Sequence, residues 1–147
     1  MKFNLIIDKS KEEEITATVH GRSPLTDRIE TLVMQYNGND RIPVFSEDEL
    51  KLLSFFETEC ILVDDGKTFA IDSYGKKFRI KMRLYEIEEI LPSYFIRINK
   101  SAIANEKRIE RFSVGFSGAV DAIFKSGYKE YVSRRCFSEI KRRYFEK

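Results

Sequence analysis

The chain has 147 residues and a mass of 17.3 kDa, which is enough for one domain with a small appendage. Apolar residues make up 42% and charged residues 34%, so the chain can bury a core and expose a charged surface. A transmembrane helix is excluded because no run of about 18 apolar residues occurs. The start MKFNLIIDKSKEEE is typical of neither a signal peptide nor a transit peptide. Cys60 and Cys136 lack CxxC spacing and support neither a disulfide framework nor a zinc site, so we expect a cytoplasmic protein with reduced thiols.

The formal net charge is only +2, but the charges are unevenly distributed. Residues 1–50 hold six basic and ten acidic side chains, a net charge of −4. Residues 75–147 hold eighteen basic and nine acidic side chains, a net charge of +9. An acidic front and a basic back indicate that the back half meets an anionic partner.

The front of the chain predicts two strands and a helix. Lys2–Ile7 alternates in strand fashion, and the β-branched run Glu14–Val19 is its candidate partner. The acidic run between them is typical of a solvated turn. Ser23 is a suitable N-cap and Pro24 a suitable first helical residue, and Asn37-Gly38 ends the helix. The apolar positions of this helix are Leu25, Ile29, Leu32, Val33 and Tyr36.

The rest of the chain is rich in strand signals, which predicts a mainly β fold that is α+β overall. Asp64-Asp65-Gly66-Lys67 is a hairpin turn signal, and Leu52–Phe56 is apolar but ambiguous. A short helix over residues 84–91 is ended by Pro92, and a last helix begins near Ser133. Strands are predicted at Arg41–Phe45, Cys60–Val63, Thr68–Asp72, Phe78–Lys81 and Tyr94–Ile98, then as a meander at Ile109–Phe116, Ala119–Lys125 and Lys129–Val132.

The residues needed for catalysis are missing from the sequence. His20 is the single histidine, so it can neither share a metal nor complete a triad. Asp64 and Asp65 lie on a tight turn, where aspartate is favoured by turn geometry. We therefore expect no enzyme activity, no metal and no cofactor. Cys136, next to two arginines at a helix start, leaves a redox role open because such surroundings lower a thiol pKa.

The basic residues of the back half cluster at the ends of predicted elements: Lys67 in a turn, Arg97–Ser101 after a strand, and Ser133–Arg135 before a helix. Loops held by a sheet can project such side chains into a groove of DNA. Arg, Lys and Asn are the residue types that read purine edges, and a helix N-terminus can bind phosphate. Ordinary solvated charges are the alternative at this point.

Two motifs bear a family resemblance. YFIRINKSAIAN (residues 94–105) and YVSRRCFSEIK (residues 131–141) resemble the two signatures of LytTR DNA-binding domains, in the right order and at suitable spacing. The resemblance runs from about Arg41 to the end. It implies a β-sheet DNA-binding domain with short helices over residues 41–147. Residues 1–40 precede it as an acidic strand-strand-helix extension, which is a candidate dimer or regulatory surface or a simple cap on the domain.

The resemblance also implies how the domain meets DNA. In this family, loops enter successive major grooves on one face of the duplex, often at paired direct repeats. Mapped onto this sequence, the base contacts are Lys67, Asn99, Lys100 and Arg135, and the phosphate or supporting contacts are Arg97, Ser101, Ser133 and Arg134. The family often has His where Asn99 stands and an aromatic where Cys136 stands, and Ala104 is unusually small.

The stretches FRIKMRLYEIEEIL and FSVGFSGAVDAIFKSGYKEYVSRR are similar to those of small stand-alone LytTR regulators without a receiver domain. This similarity implies a whole regulator, and it suggests a small membrane protein as a restraining partner. The resulting hypothesis is a homodimeric, sequence-specific transcriptional regulator of double-stranded DNA. The rival hypotheses are a protein-interaction module whose basic edge meets an acidic partner or anionic lipid, and an RNA-binding protein that uses its 12 Phe and 7 Tyr for stacking.

Overall fold

A computed structural model describes residues 1–145 of the chain. Within this range the α-helices are Pro24–Asn37 (α1), Leu84–Ile90 (α2) and Arg134–Phe145 (α3), and Glu106–Arg108 forms a short 3-10 helix. The strands are Arg41–Phe45 (β1), Leu50–Ser54 (β2), Thr58–Asp64 (β3), Lys67–Asp72 (β4), Lys77–Ile80 (β5), Phe95–Asn99 (β6), Ala102–Asn105 (β7), Ile109–Val114 (β8), Val120–Phe124 (β9) and Lys129–Val132 (β10). No helix in these residues is long and apolar enough to cross a membrane.

The strands form two antiparallel sheets, which confirms the mainly β prediction. The larger sheet has the order β2-β1-β5-β4-β3-β7-β6, and the smaller has the order β10-β9-β8. The ambiguous run around Leu52 is an edge strand, β2. β7 was not predicted because it has four residues, two of them alanine, which has low strand propensity.

Two hydrophobic cores lie on opposite faces of β3. Ile61 packs into a core with residues of β1, β2, β5 and α2, whereas Cys60 and Leu62 pack into a second core with the smaller sheet and Ile140 of α3. This alternation follows from the period of two residues in a strand. The large sheet is therefore covered on one face by α2 and on the other by the small sheet and α3.

Glu59 joins the two sheets through a buried charge. Its carboxylate is fully buried and accepts hydrogen bonds from the Arg108 guanidinium (3.1 Å) and from the backbone N–H of Ser126 (3.1 Å). The Ser126 hydroxyl also donates to it. A buried carboxylate is tolerated only when it is paired and hydrogen-bonded in this way.

The predicted helix near Ser23 is confirmed in detail. The Ser23 hydroxyl accepts from the N–H of Thr26, and Gly38 ends α1 with a positive φ of 69°. The helix packs on the start of β6: Glu30 accepts a 2.6 Å bond from the N–H of Ser93, and Lys107 lies 2.7 Å from Asp27. α1 thus contacts the domain directly.

The prediction of two strands before α1 is wrong. Residues 1–22, all of which the structure describes, form no strand or helix, and the side chains of residues 1–20 are exposed. The sequence alternates over Lys2–Ile7 and Glu14–Val19, but neither run is paired with a strand in residues 1–145. An isolated two-stranded hairpin is at best marginally stable in water, so alternation without a further packing partner does not form a sheet.

Candidate nucleic-acid interface

Three loops meet at one end of the large sheet. They are the β3–β4 turn, the β6–β7 loop and the segment that leads from β10 into α3. The N–H of Val63 donates to the carbonyl of Ser101 (2.8 Å), which joins the first loop to the second. The N–H of Ser133 donates to the carbonyl of Ile98 (2.8 Å), which joins the second to the third. We call this set of loops, residues 64–67, 99–101 and 132–135, the basic loop end.

Asn99 holds the basic loop end together. Its side-chain N–H donates to the carbonyl of Tyr131 (2.6 Å), and its side-chain oxygen accepts from the N–H of Ser101 (2.7 Å). The residue is only 8% exposed. Both functional groups of the amide are therefore used within the protein, which favours a positioning role, and the base contact expected of Asn99 stays a prediction.

Arg97 supports the β6–β7 loop. Its guanidinium binds the Glu88 carboxylate of α2 (2.8 Å) and donates to the carbonyl of Lys100 (2.6 Å). This fits a supporting role, one of the two roles expected for Arg97. The ion pair also neutralises the Glu88 carboxylate, which lies close to the loop and, without Arg97, repels an anion there.

The exposed side chains at this end are mostly basic, beside the carboxylates of Asp65 and of Asp64, which lies 2.9 Å from Lys77. Lys67, Lys100, Arg134 and Arg135 are all exposed. Arg135 has a neighbouring carboxylate, Glu139, at 3.7 Å on the next turn of α3, and such exposed pairs contribute little. Ser101 has committed its N–H and carbonyl within the protein, so its hydroxyl is the group left for a ligand.

The turn before Lys67 has a specific backbone geometry. Asp65 and Gly66 both have positive φ, 50° and 73°. Positive φ at both central residues is the type I′ geometry of two-residue hairpins, for which Asp-Gly is a favoured sequence. This confirms the predicted hairpin and fixes Lys67 as the first residue of β4.

Ser133 prepares the start of α3. Its hydroxyl accepts from the N–H of Cys136 (3.2 Å), and its carbonyl accepts from the N–H of Phe137 (2.9 Å). The N–H groups that precede Cys136 in the first helical turn point out of the end of the helix, and such groups favour the binding of an anion. Ser133 therefore acts as a helix cap within this site.

Two further cations at this end were missed by sequence reasoning. In the β4–β5 register Thr68 lies opposite Ile80, so β5 ends beside the start of β4. The exposed residues Lys81 and Arg83 follow directly and lie at the same end of the sheet as Lys67. Only the antiparallel register of β4 and β5 brings Lys81 and Arg83 to the same end as Lys67, because thirteen or more residues separate them from Lys67 along the chain.

The described residues hold no group of three His, Cys, Asp or Glu side chains placed to bind a metal. Burial, together with the charges of Glu130 and Glu59, raises the pKa of the Cys60 thiol well above its ordinary value. Cys136 is half-buried against the second core. Apart from the two aspartates of the β3–β4 turn, the exposed charged groups of the basic loop end are thus cations, which are also hydrogen-bond donors.

Comparison with known proteins gives a consistent result. The family profile described as "LytTr DNA-binding domain" matches residues 48–144. An "Uncharacterized HTH-type transcriptional regulator" of Staphylococcus aureus strain MSSA476 is 32% identical over 146 residues, covering 97% of both chains. The similarly named protein of strain NCTC 8325 is 31% identical with the same coverage.

A solved structure shows the same fold. The LytTr DNA-binding domain of a Bacillus cereus protein described as a methyl-accepting/DNA response regulator superposes with a TM-score of 0.62 at 21% identity. The match covers 70% of the present chain and 94% of that domain. Within residues 1–145, strands separate each α-helix from the next, so this part of the chain contains no helix-turn-helix.

Proposed function

Because the chain belongs to the LytTR family of DNA-binding domains, we propose that it regulates transcription by binding duplex DNA at a specific sequence, without catalysing a reaction. The observation that carries the proposal is the basic loop end. Hydrogen bonds join the first of its three loops to the second and the second to the third, and the loops expose four cations. Pre-organised loops of this kind suit the recognition of a DNA groove because they lose little conformational entropy when they bind.

Base reading is assigned to the exposed side chains of the three loops. Lys67, Lys100 and Arg135 enter successive major grooves, where Lys and Arg donate to guanine O6 and N7. Each good contact discriminates by about 1–3 kcal/mol. Asn99 fixes the relative positions of Lys100 and Arg135 through its bonds to Tyr131 and Ser101.

Phosphate contacts position the protein on the duplex. We assign phosphate contacts to Arg134, to the hydroxyl of Ser101 and to the outward N–H groups of the first turn of α3, which follows Ser133. Arg97 supports the β6–β7 loop through its bond to the Lys100 carbonyl. Lys81 and Arg83 extend the same positive surface. Affinity falls steeply with salt, because neutralised phosphates release their counterions.

Two copies are proposed to bind together, at paired direct repeats, because one set of three loops covers a modest footprint. Residues 41–147 form the DNA-binding unit, and residues 1–40 form the acidic extension available for dimer or regulatory contacts. The setting is the cytoplasm, where DNA is accessible. A small membrane protein that restrains the regulator is proposed from the family resemblance alone.

Selection from a random duplex library at near-physiological salt tests this function. We expect a recovered motif in the form of a spaced repeat. Lys100→Ala and Arg135→Ala then each blur defined positions of that motif. Lys125→Ala is the matched control, since this exposed lysine follows β9 at the end of the small sheet away from Ser133. Binding without sequence preference, unchanged by Lys100→Ala and Arg135→Ala, contradicts the proposal and favours the interaction module.

Competition between duplex DNA and single-stranded RNA tests the RNA-binding alternative. Most aromatic side chains of the strands are committed to the two cores, as with Phe78 and Phe124, which are fully buried. They are therefore not available as a stacking platform. We expect duplex DNA to compete more strongly, and stronger competition by RNA would reverse the assignment.

A further inference from the structure

The edge strand β2 exposes unpaired backbone groups. It lies at one end of the seven-stranded sheet and is bonded to β1 alone. The bonds from the N–H of Phe55 to Asp40 (2.9 Å) and from the N–H of Ser46 to Glu49 (3.0 Å) fix which residues bond inward. By alternation along the β1–β2 register, Leu50 and Leu52 direct their N–H and carbonyl groups away from β1. The carbonyl of Ser54, which follows the same alternation, already accepts from the N–H of Glu57 (3.2 Å) and the hydroxyl of Thr58 (2.8 Å).

The same strand also carries exposed apolar side chains. Leu50 is 73% and Leu52 is 57% exposed, and both lie on the face of the sheet opposite the Leu53 side chain. Pro43 lies across from Leu52 and Phe45 across from Leu50. An apolar strand edge with unpaired backbone groups is a template for the addition of another strand.

Residues 1–11, which we call the N-terminal arm, have the complementary pattern. Phe3, Leu5 and Ile7 are spaced two apart, which puts them on one face when the segment is a strand, and each is at least 74% exposed. Within residues 1–22, which the structure describes in full, the backbone hydrogen bond that the arm makes is the local one from Lys11 to Asp8 (3.4 Å). The arm therefore has both strand-like side chains and backbone groups with no sheet to join.

We propose that the N-terminal arm of one copy adds as an antiparallel strand to the β2 edge of a second copy, and that the exchange is reciprocal. In the single chain the arm and the edge both remain exposed, so neither is the other's partner there. A reciprocal exchange uses the same two surfaces twice and closes as a two-fold dimer. This inference rests on the proposed pairing of two copies, and it names the surface that joins them.

Apolar side chains select the register. Placing Leu5 opposite Leu52 brings Ile7 opposite Leu50, so the apolar residues of both strands share a face. The same antiparallel register brings Lys9 opposite Asp48, in the exposed acidic turn Glu47–Glu49 before β2. The same register places Asp8 opposite Glu49, and a parallel arrangement places Lys2 opposite Glu49, so lysines of the arm meet the acidic turn in either direction. We propose the antiparallel direction because its ladder is slightly more stable per residue.

The proposed contact leaves the DNA-binding surface open. β2 is at one edge of the large sheet, whereas the loop that carries Lys100 joins β6 and β7 at the other edge. The dimer can therefore form with or without DNA. A test of pairing in the absence of DNA is consequently independent of whether the chain reads a specific sequence.

Cross-linking between two populations of the full-length chain tests the proposal. In a Cys136→Ser background, with Cys60 fully buried, one population carries Leu5→Cys and a second, differently tagged, carries Leu52→Cys. The two are mixed without DNA and treated with a short bismaleimide. We expect a cross-linked species that carries both tags. Asn4→Cys in place of Leu5→Cys is the matched control, because its side chain lies on the other face of the arm.

Two results overturn the proposal. One is equal or absent cross-linking for Leu5→Cys and Asn4→Cys against Leu52→Cys in the mixture. The other is cross-linking only within a single chain that carries both cysteines, which places the arm on its own edge. Sedimentation of Leu52→Lys gives a second measurement. We expect about tenfold weaker dimerisation, because a charge enters an apolar contact, and unchanged circular dichroism, because residue 52 is exposed.

Discussion

The side-chain amide of Asn99 donates a 2.6 Å hydrogen bond to the carbonyl oxygen of Tyr131. Asn99 ends β6 and Tyr131 lies in β10, so the bond joins the large sheet to the strand that leads into α3. The two sequence signatures that resemble LytTR motifs are thereby one physical unit. We therefore expect a change at Asn99 to affect the loop of the second signature as well as its own.

The first prediction concerns this bond. Asn99→Ala removes both hydrogen bonds of the side chain and leaves the Tyr131 carbonyl without its partner, which costs about 1–3 kcal/mol of unfolding free energy. DNA affinity falls for all sequences together, because Lys100 and Arg135 lose their relative position. Urea denaturation and gel-shift titration measure the two effects, with the exposed Asn39→Ala as control. Unchanged stability with loss at a single base position would instead show a direct base contact.

The second prediction concerns the turn that precedes Lys67. Gly66→Val places a β-branched residue at a φ of 73°, which costs about 1–2 kcal/mol. Gly21→Val is the matched control, since Gly21 has an ordinary φ and open space where a Cβ would lie. We expect a lower thermal midpoint for Gly66→Val alone, measured by circular dichroism. Equal midpoints for the two variants would show that the turn tolerates a different geometry.

This turn also illustrates what sequence can predict. The Asp-Gly pair, the Ser23 cap of α1 and the strand alternation act over a few residues, so local propensity determines the structure. The role of Asn99 is different because its partner carbonyl lies 32 residues away along the chain. Residue type alone predicts a base contact there, and only the packed sheets reveal that the amide is already used.

The N-terminal arm shows that a local strand signal is not sufficient to form a strand. Its alternation predicts a strand, but residues 1–145 supply no partner strand for it. A strand is stable only when its backbone groups are paired, so a correct local signal gave the wrong secondary structure for residues 1–22. Lys81 and Arg83 were missed for a related reason: their position beside Lys67 depends on strand register.

The third prediction separates the two cysteines. Burial raises the pKa of the Cys60 thiol, so little reactive thiolate forms at that residue near pH 8. Cys136 is only partly buried. We expect iodoacetamide to modify Cys136 alone in the native protein and both residues in urea, as measured by mass spectrometry of peptides. Rapid native modification of Cys60 would indicate that the second core opens readily.

The fourth prediction concerns the buried charge that links the sheets. Arg108→Met retains most of the apolar stem but leaves the fully buried carboxylate of Glu59 without its cation. Removing one partner of a buried pair costs about 3–5 kcal/mol, and we expect the lower end because Arg108 is partly exposed. Arg111→Met, on the exposed face of β8, is the control. Urea denaturation measures the difference.

A second substitution distinguishes the buried charge from simple loss of packing. Adding Glu59→Gln to Arg108→Met removes the unpaired charge but keeps a side chain that can accept hydrogen bonds from Ser126. We expect the double variant to be more stable than Arg108→Met alone, since a neutral amide is far less costly to bury than an isolated carboxylate. If the double variant is instead less stable than Arg108→Met, the guanidinium acts through its contacts and not by neutralising Glu59.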